Sequence, residues 1–334
     1  MIMKEDTNSI EDSGREGDSD STYLGRRAES PGKIPARGWW EIARRVVAEL
    51  GNDRVSLVAA GVGFFALLSA FPALGALVAL VGLFSTSTDV LSMLESMDSI
   101  PEAVRGTLIT TFGDLQAQPD DELGWAAAAG MGAALWSAKK GVASVLKATN
   151  MAYEEPDSRP WWRALLLSLA FTTGSIVLLA IVLALAVALP LWVRENLATG
   201  LISYLVTAIQ WVLLWCFGAG ALAILYRYAP NRDSPEWEWV SPGAALATTL
   251  WMVGSVGFGW YVQNASTYQE TYGSLAGVII TMLWLYLTGY IVILGAEINS
   301  EIEYQTRRDT TVGPDEPMGQ RDAFVADNVA PARD

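Results

Sequence analysis

Residues 272–299 read YGSLAGVIITMLWLYLTGYIVILGAEIN, and this stretch decides the fold. No charged residue occurs from Gly273 to Ala296, and most of these residues are apolar. Such a run is long enough to cross the hydrocarbon core of a bilayer as one helix, which needs about 20 residues. Glu297 and Asn299 stand at its end, where polar groups reach water or protein partners. The chain is therefore predicted to be a membrane protein.

Five further apolar segments precede this one, so we predict an all-α integral membrane protein with six transmembrane helices and additional amphipathic interfacial helices. The six segments are roughly 55–84, 123–138, 164–192, 201–228, 242–262 and 274–296. The second segment is short, and we expect its helix to continue beyond Lys140.

Two prolines carry predictions about helix geometry. Pro72 lies inside the first segment and lacks the amide hydrogen that a helix interior needs, so we expect a hinge there, as a kink or break near Leu68. Ser241 and Pro242 open the fifth segment as an N-cap followed by a first helical residue. We also expect close helix packing at small residues. These are Gly130, Gly132, Gly254, Gly257, Gly259, Gly273 and Gly277.

The basic residues predict the orientation in the membrane. Of the 22 Lys and Arg residues, Arg105 and Arg194 fall on one side of a six-span arrangement, and the other 20 fall on the opposite side. Basic residues are enriched on the cytoplasmic side of membrane proteins. We therefore expect a multi-pass protein of the cytoplasmic (inner) membrane with both termini in the cytoplasm.

Composition divides the chain into three parts. Residues 1–36 and 306–334 are polar and acidic, and we expect disordered cytoplasmic tails there. Residues 37–305 form the membrane domain, with an outer helical loop at about 85–122. Residues 38–52 form an amphipathic segment with Trp39 and Val46 on one face and Arg45 on the other. It either lies in the membrane interface or packs on the cytoplasmic side of the protein.

Several function classes are disfavoured. The chain has no histidine and a single cysteine, Cys216, so it lacks the commonest general base and cannot form an internal disulfide. Phosphate-binding loops, zinc-protease motifs and nucleophile elbows are absent from the sequence. A ribonuclease would need a metal cluster, a histidine pair or a basic groove. We expect no enzymatic activity, no cofactor or metal, and no nucleic-acid partner.

The candidate binding residues lie at the ends of the second and sixth segments. They are Lys139, Lys140, Asn150, Tyr153, Tyr290, Glu297 and Asn299. Ionisable groups near a membrane often mark a site or pair with a base, so Glu297 is either functional or simply at the interface. Lys139 and Lys140 either bind anionic headgroups or solutes, or only fix topology. An ion pair between Glu297 and one of these lysines is a further hypothesis.

Four motifs carry a family resemblance. AAGVGFFALLSAFPAL begins at Ala59, and WSAKKGVASVLKATNMAYEE begins at Trp136. YRYAPN begins at Tyr226 and is followed by PGA at 242–244, and the last motif is the stretch at 272–299. Together they resemble the YihY/virulence factor BrkB family over residues 40–305. The pair Lys139–Lys140 departs from the family pattern, which more often has a small residue followed by arginine.

The resemblance implies a six-helix inner-membrane protein with both termini inside. It implies little chemistry: members have been labelled ribonuclease BN, which is a misassignment, and others are linked to serum resistance or envelope lipid traffic. We therefore predict a transport-type or envelope-lipid-handling protein whose partners are membrane lipids, anionic ones among them. The alternative is a membrane scaffold or assembly factor without a substrate path. The sequence does not determine the substrate or the oligomeric state.

Overall fold

The computed structural model describes residues 23–84, 120–183, 200–264 and 275–331, together with positions 185, 189 and 193. Secondary structure in these ranges is helical, apart from an isolated β-bridge between Pro235 and Thr311. The predicted outer helical loop and the polar loop before Gly273 lie largely outside the described residues.

The helices follow the apolar segments. After a short 3₁₀ turn at Pro31–Lys33 come α1 (Ala36–Asn52), α2 (Val55–Phe84), α3 (Asp120–Ala152), α4 (Trp161–Leu183), α5 (Leu201–Tyr228), α6 (Trp237–Asn264), α7 (Ala276–Glu303) and α8 (Phe324–Asp327). All six predicted segments are therefore helical over the residues that the structure describes. Four helices, α4 to α7, are long and apolar enough to cross a membrane, and α2 contributes a shorter apolar stretch, Val55–Ser69.

The surface of these helices is that of a membrane protein. Large apolar side chains are exposed along α4, α5 and α6, including Ile176, Ile202, Leu205, Val253 and Val256. Soluble proteins rarely expose contiguous apolar surface on this scale. In the interior, α7 is the central helix and packs against α1, α2, α3 and α6.

Helix bounds differ from the predictions in one place and agree in another. As expected, α3 continues beyond Lys140, as far as Ala152. The predicted start of α6 is wrong, because the helix begins at Trp237 and Pro242 lies inside it. Trp239 is fully buried and holds this extra turn against the core, and the hydroxyl of Ser241 donates to the carbonyl of Trp237 at 2.5 Å instead of capping.

The first apolar helix is continuous. α2 is assigned as one helix from Val55 to Phe84, which includes Pro72. The side chains from position 70 onward in α2 lie outside the described residues, so the kink at Pro72 stays a prediction.

Close helix packing uses glycines other than those predicted. A Cβ added at Gly243 of α6 would lie 2.2 Å from the carbonyl oxygen of Gly295 in α7. A Cβ at Gly63 of α2 would lie 3.0 Å from the amide nitrogen of Tyr286 in α7. Of the predicted glycines, Gly254 makes ordinary contacts. Gly132, Gly257, Gly259 and Gly277 face open space in the described structure, and Gly130 and Gly273 lie outside its described side chains.

α1 packs on the protein with a face that we did not predict. Gly38, Ile42, Arg45 and Val46 are buried. Trp39 and Val47 are exposed, although apolarity placed them together with Val46. Arg45 lies on the inward face because Glu301 of α7 and Gln305 just after α7 accept its hydrogen bonds, which offsets the cost of burying a charge.

Of the tails that we expected to be disordered, the structure describes residues 23–36 and 306–331, while 1–22 and 332–334 lie outside the described residues and stay a prediction. The backbone carbonyls of Leu24 and Ala28 accept hydrogen bonds from the side chains of Gln305 and Thr306. Residues 24–29 and 305–331 thus form one structure, here called the terminal cap. It covers the end of the bundle where the α1–α2 turn, the end of α3 and the end of α7 meet, here called the polar end.

One buried arginine organises the C-terminal part of the terminal cap. Arg321 donates to the carbonyl of Ala326 at 2.6 Å and of Glu316 at 2.9 Å, and its guanidinium lies 3.7 Å from the carboxylate of Asp309. Val325 of α8 packs into the core of the bundle beside Tyr226. These contacts supply the order that the polar composition alone does not suggest.

Candidate functional site

The last two turns of α7 bury an unusual number of polar groups. The buried polar residues there are Glu297, Asn299, Ser300, Glu301 and Glu303. α7 has 28 residues and is about 42 Å long, more than the ~30 Å core of a bilayer. The polar turns therefore extend past the apolar span, where they form the centre of the polar end.

Asn299 fastens α7 to α6. Its side-chain oxygen accepts from the amide of Gly243 at 2.7 Å, and its side-chain nitrogen donates to the carbonyl of Val240 at 2.9 Å. Both bonds are possible because Gly243 and Gly295 let the two backbones approach closely. The two bonds make Asn299 a helix clamp in this structure, in addition to the candidate binding role predicted from the sequence.

Asn150 and Tyr153 meet the loop after α5. The side-chain oxygen of Asn150 accepts from the amide of Asn231 at 2.7 Å. The guanidinium of Arg232 lies 5.1 Å from the ring centre of Tyr153, which is fully buried. Burial, reinforced by the carboxylate of Glu303, raises the pKa of Tyr153 well above its ordinary value, so this phenol is neutral at physiological pH.

Arg232 forms a fully enclosed ion pair. It donates to a carboxylate oxygen of Glu303 at 2.7 Å, and both side chains are 0 % exposed. The same Glu303 oxygen accepts from the hydroxyl of Thr310 in the terminal cap at 2.8 Å. A second enclosed pair joins Arg45 of α1 to Glu301, and Arg45 also donates to the side chain of Gln305 at 2.7 Å. Two of the three buried α7 carboxylates are thus neutralised by arginine.

Glu297 differs from its two neighbours. Neither Arg45 nor Arg232 pairs with it, although it is 2 % exposed and its Oε1 atom, like that of Glu303, has no hydrogen-bond partner. Its side chain lies beside that of Asp53 in the α1–α2 turn, and the other acids that act on it are Glu301 and Glu49. Burial raises the pKa of Asp53 above its ordinary value, Glu49 adds to this effect, and Glu297 opposes it.

The lysines lie elsewhere. A Cβ added at Gly141, next to Lys140, would lie 3.8 Å from the amide nitrogen of Ala66 in α2. Ala66 is eleven residues into α2, so the lysines are about 16 Å along the axis from the polar end. The hypothesis of an ion pair with Glu297 is therefore not met. Both ammonium groups lie over the ring of Trp136 instead, 5.4 Å and 5.9 Å from its centre.

Tyr290 belongs to an interior cluster. It packs with Val55 and Ile293, and its ring centre is 6.2 Å from that of Tyr286. The hydroxyls of Tyr286 and Ser56 hydrogen bond at 2.8 Å. The face of α7 that carries Tyr286, Tyr290 and Ile293 thus points at α2 and α3.

The sequence identified Glu297, Asn299, Asn150 and Tyr153 as candidate residues, and the structure places them at the polar end, but their charged partners were missed. Those partners are Arg45, Asp53, Arg232, Glu301 and Glu303. One signal was available, because Arg232 directly follows the YRYAPN motif. In the part of the chain that the structure describes, no three His, Cys, Asp or Glu side chains are grouped as a metal site would require.

Comparison with known proteins places this architecture in a family. The family model for virulence factor BrkB matches residues 46–319, which include the end of α1 and all of α2 to α7. The chain belongs to the virulence factor BrkB family. The family resemblance inferred from the four sequence motifs is confirmed. No solved structure matches this chain.

Two curated relatives match most of the chain. A Bacillus subtilis protein named ribonuclease-like, YfkH, is 32% identical over 261 residues, which cover 72% of this chain and 87% of YfkH. A UPF0761 membrane protein of Rhodospirillum centenum is 28% identical over 302 residues, covering 89% of this chain and 65% of the relative. A UPF0761 membrane protein of Tolumonas auensis is 38% identical over 98 residues, which cover 29% of this chain and 32% of the relative. The chain is a membrane protein of this family.

Proposed function

We propose that this protein is a transport-type or envelope-lipid-handling protein of the cytoplasmic membrane, with six spans and both termini in the cytoplasm. Six spans are supported by the helical state of all six apolar segments. The orientation is supported by the 20 basic residues that a six-span arrangement leaves on one side, out of 22.

The observation that carries the proposal is the cluster of Trp136, Lys139 and Lys140 on α3, here called the lysine patch. Trp136 is 63% exposed, and both ammonium groups lie over its ring. Two cations beside an exposed aromatic ring attract an anionic headgroup or solute. The position of the patch, about 16 Å along α2 from the polar end, supports contact with a molecule inside the membrane region.

We further propose that the chain is not a ribonuclease, although the name of YfkH is ribonuclease-like. The absence of histidine from the whole sequence supports this proposal. A ribonuclease assay on the purified protein tests it, and cleavage that copurifies with the wild-type protein would overturn it.

Native mass spectrometry of the gently solubilised protein tests the lipid part of the proposal. The wild type is compared with Lys139→Ala/Lys140→Ala. We expect a retained anionic lipid or glycolipid on the wild type and its loss from the double variant, because the two cations that hold it are gone.

The chain has five lysines and offers a matched control. Lys33→Ala/Lys147→Ala also removes two positive charges but leaves the lysine patch intact, and this variant should keep the lipid. If no specific lipid is bound, or if both variants lose it equally, the lysines act as topology signals. A soluble anionic substrate or a scaffold role then replaces lipid handling.

A further inference from the structure

Glu297 is the buried α7 carboxylate that no arginine neutralises in the described structure. Arg45 is engaged with Glu301 and Gln305, and Arg232 is engaged with Glu303. An ionised carboxylate buried without a cation is strongly unfavourable. Something other than a basic side chain must therefore compensate Glu297.

The carboxyl group of Asp53, which lies beside that of Glu297, points to that compensation. An ionised carboxylate only accepts hydrogen bonds, so two carboxyl groups can bond to each other only when one of them carries a proton. The Oε1 atom of Glu297 remains without a partner inside the protein. A proton held between the two groups would supply such a bond, and the enclosed Oε1 atom of Glu297 would stay free to accept another.

The surroundings of the pair favour the proton. α1 contributes Glu49 and Arg45, and the segment after α3 contributes Glu154. α7 and its end contribute Glu301 and Tyr304. The described part of α2 that packs on α7 contains no ionisable residue. Acids thus outnumber Arg45, which is already paired, and Arg54, the residue after Asp53, is exposed. Burial, followed by Glu49 and Asp53, also raises the pKa of Glu154.

We propose that Asp53 and Glu297 form a proton-binding site, which holds one shared proton at neutral pH and releases it to solution at higher pH. The proton belongs to the pair and not to either residue. Its release leaves two negative charges in an enclosed place between the α1–α2 turn and α7. The site lies about 16 Å from the lysine patch and does not depend on it.

Infrared difference spectroscopy of the full chain in lipid nanodiscs tests the proposal. We expect the wild type to show a protonated carboxyl band at neutral pH that disappears as the pH is raised. The band should shift in protein labelled with ¹³C at the glutamate or aspartate carboxyl, because the bound proton lies on one of these side chains. This labelling needs no variant and remains valid if a substitution impairs folding.

Variants assign the band to the pair. Glu297→Gln should remove the pH-sensitive band, and Asp53→Asn should remove it or shift its titration. Glu238→Gln, at an exposed position in the first turn of α6, should leave it unchanged. The proposal is wrong if wild-type protein has no protonated carboxyl band at neutral pH, or if the band survives both pair variants. Loss of the band on adding Na⁺ or Ca²⁺ at constant pH would identify a metal cation site instead.

Discussion

At the scale of single residues, the pair of Arg232 and Glu303 has the most demanding environment, because both side chains are fully enclosed. The two charges pair with each other, and the same Glu303 oxygen accepts from Thr310, while one Arg232 nitrogen and the other Glu303 oxygen are buried without a hydrogen-bond partner. Removing one member of such a pair leaves an uncompensated charge in a low-dielectric interior, which costs about 3–5 kcal/mol. Replacing both members with apolar residues removes that cost.

Arg232→Met should therefore lower the free energy of unfolding by about 3–5 kcal/mol. Arg232→Met/Glu303→Leu should recover much of this loss, because no buried charge then remains. Thermal unfolding in detergent micelles measures both variants. Lys33→Met is the control, since the Lys33–Glu29 pair is exposed and contributes little to stability. Equal destabilisation by the single and double variants would show that the pair is not the cause.

The same residues show what a sequence can reveal about a site. Glu297 and Asn299 are recognisable because they interrupt a long apolar run, and Tyr153 and Asn150 follow a predicted helix. Asp53 and Arg232 are ordinary loop residues in the sequence. Their importance arises from contacts across 244 and 71 positions respectively, the separations from Glu297 and Glu303. Such long-range partners are fixed by tertiary packing, which one sequence does not display.

At the scale of helices, the crossing of α6 and α7 depends on two glycines. A Cβ at Gly243 would lie 2.2 Å from the oxygen of Gly295, and a Cβ at Gly295 would lie 2.3 Å from the hydroxyl of Tyr226. The closeness also brings Asn299 within reach of the α6 backbone. For both reasons, the helix crossing leaves no room for a side chain at position 243 or 295.

Gly243→Ala should destabilise the protein by about 1–3 kcal/mol, because the helices must separate and the Asn299 bonds lengthen. Gly257→Ala, in the same helix, should be neutral or slightly stabilising, since a methyl group there meets open space and alanine favours the helix. The difference between their melting temperatures checks the prediction. Equal melting temperatures would contradict the close crossing.

Apolarity predicted the existence of the helices better than their ends. α3 continues for twelve residues beyond Lys140, where Leu146 and Ala148 are buried and Lys147 faces outward. Because charged residues interrupt the apolar run there, a prediction from apolarity ends the helix too early. α6 starts a turn early because Trp239 is buried. Glycines that contact another helix, such as Gly243, cannot be told from glycines that face open space, such as Gly257, because both occur in apolar helices. Contacts and helix ends are decided by neighbours in space.

At the scale of the whole molecule, the terminal cap is fastened by Arg321. Arg321→Ala should release residues 307–331 from the bundle, because several backbone carbonyls and Asp309 lose one common donor. Limited proteolysis should then cut this segment much faster than in the wild type. Arg307→Ala is the control, because this arginine is exposed. Unchanged cleavage in Arg321→Ala would show that other contacts suffice.

The acid groups at the polar end predict how stability depends on pH. Burial raises the pKa of Asp53, Glu154 and Glu155 above their unfolded values, so the folded chain binds more protons than the unfolded chain. The stability that these groups contribute is present at about pH 4 and is lost as the pH rises through the raised values. The melting temperature should fall over this range, and Asp53→Asn should reduce the slope. A rising melting temperature would contradict the prediction.

Asp309 acts in the opposite direction. Although burial opposes it, hydrogen bonds from Glu316 and Thr311 hold the pKa of Asp309 below its ordinary value. The stability that Asp309 contributes is therefore lost as the pH falls through that lowered value. The order of this segment could not be predicted from its acidic composition, because it rests on one arginine and one aspartate in specific positions.

The terminal cap also sets an order of events during synthesis. The carbonyl of Leu24 accepts a hydrogen bond from Gln305, which lies 281 positions later in the chain. Leu24 is synthesised early, and its hydrogen-bond partner Gln305 is synthesised only after all the long helices between them. The cap can close only after Gln305 has been synthesised. A chain that stops before this residue lacks these contacts, and its polar end stays uncovered.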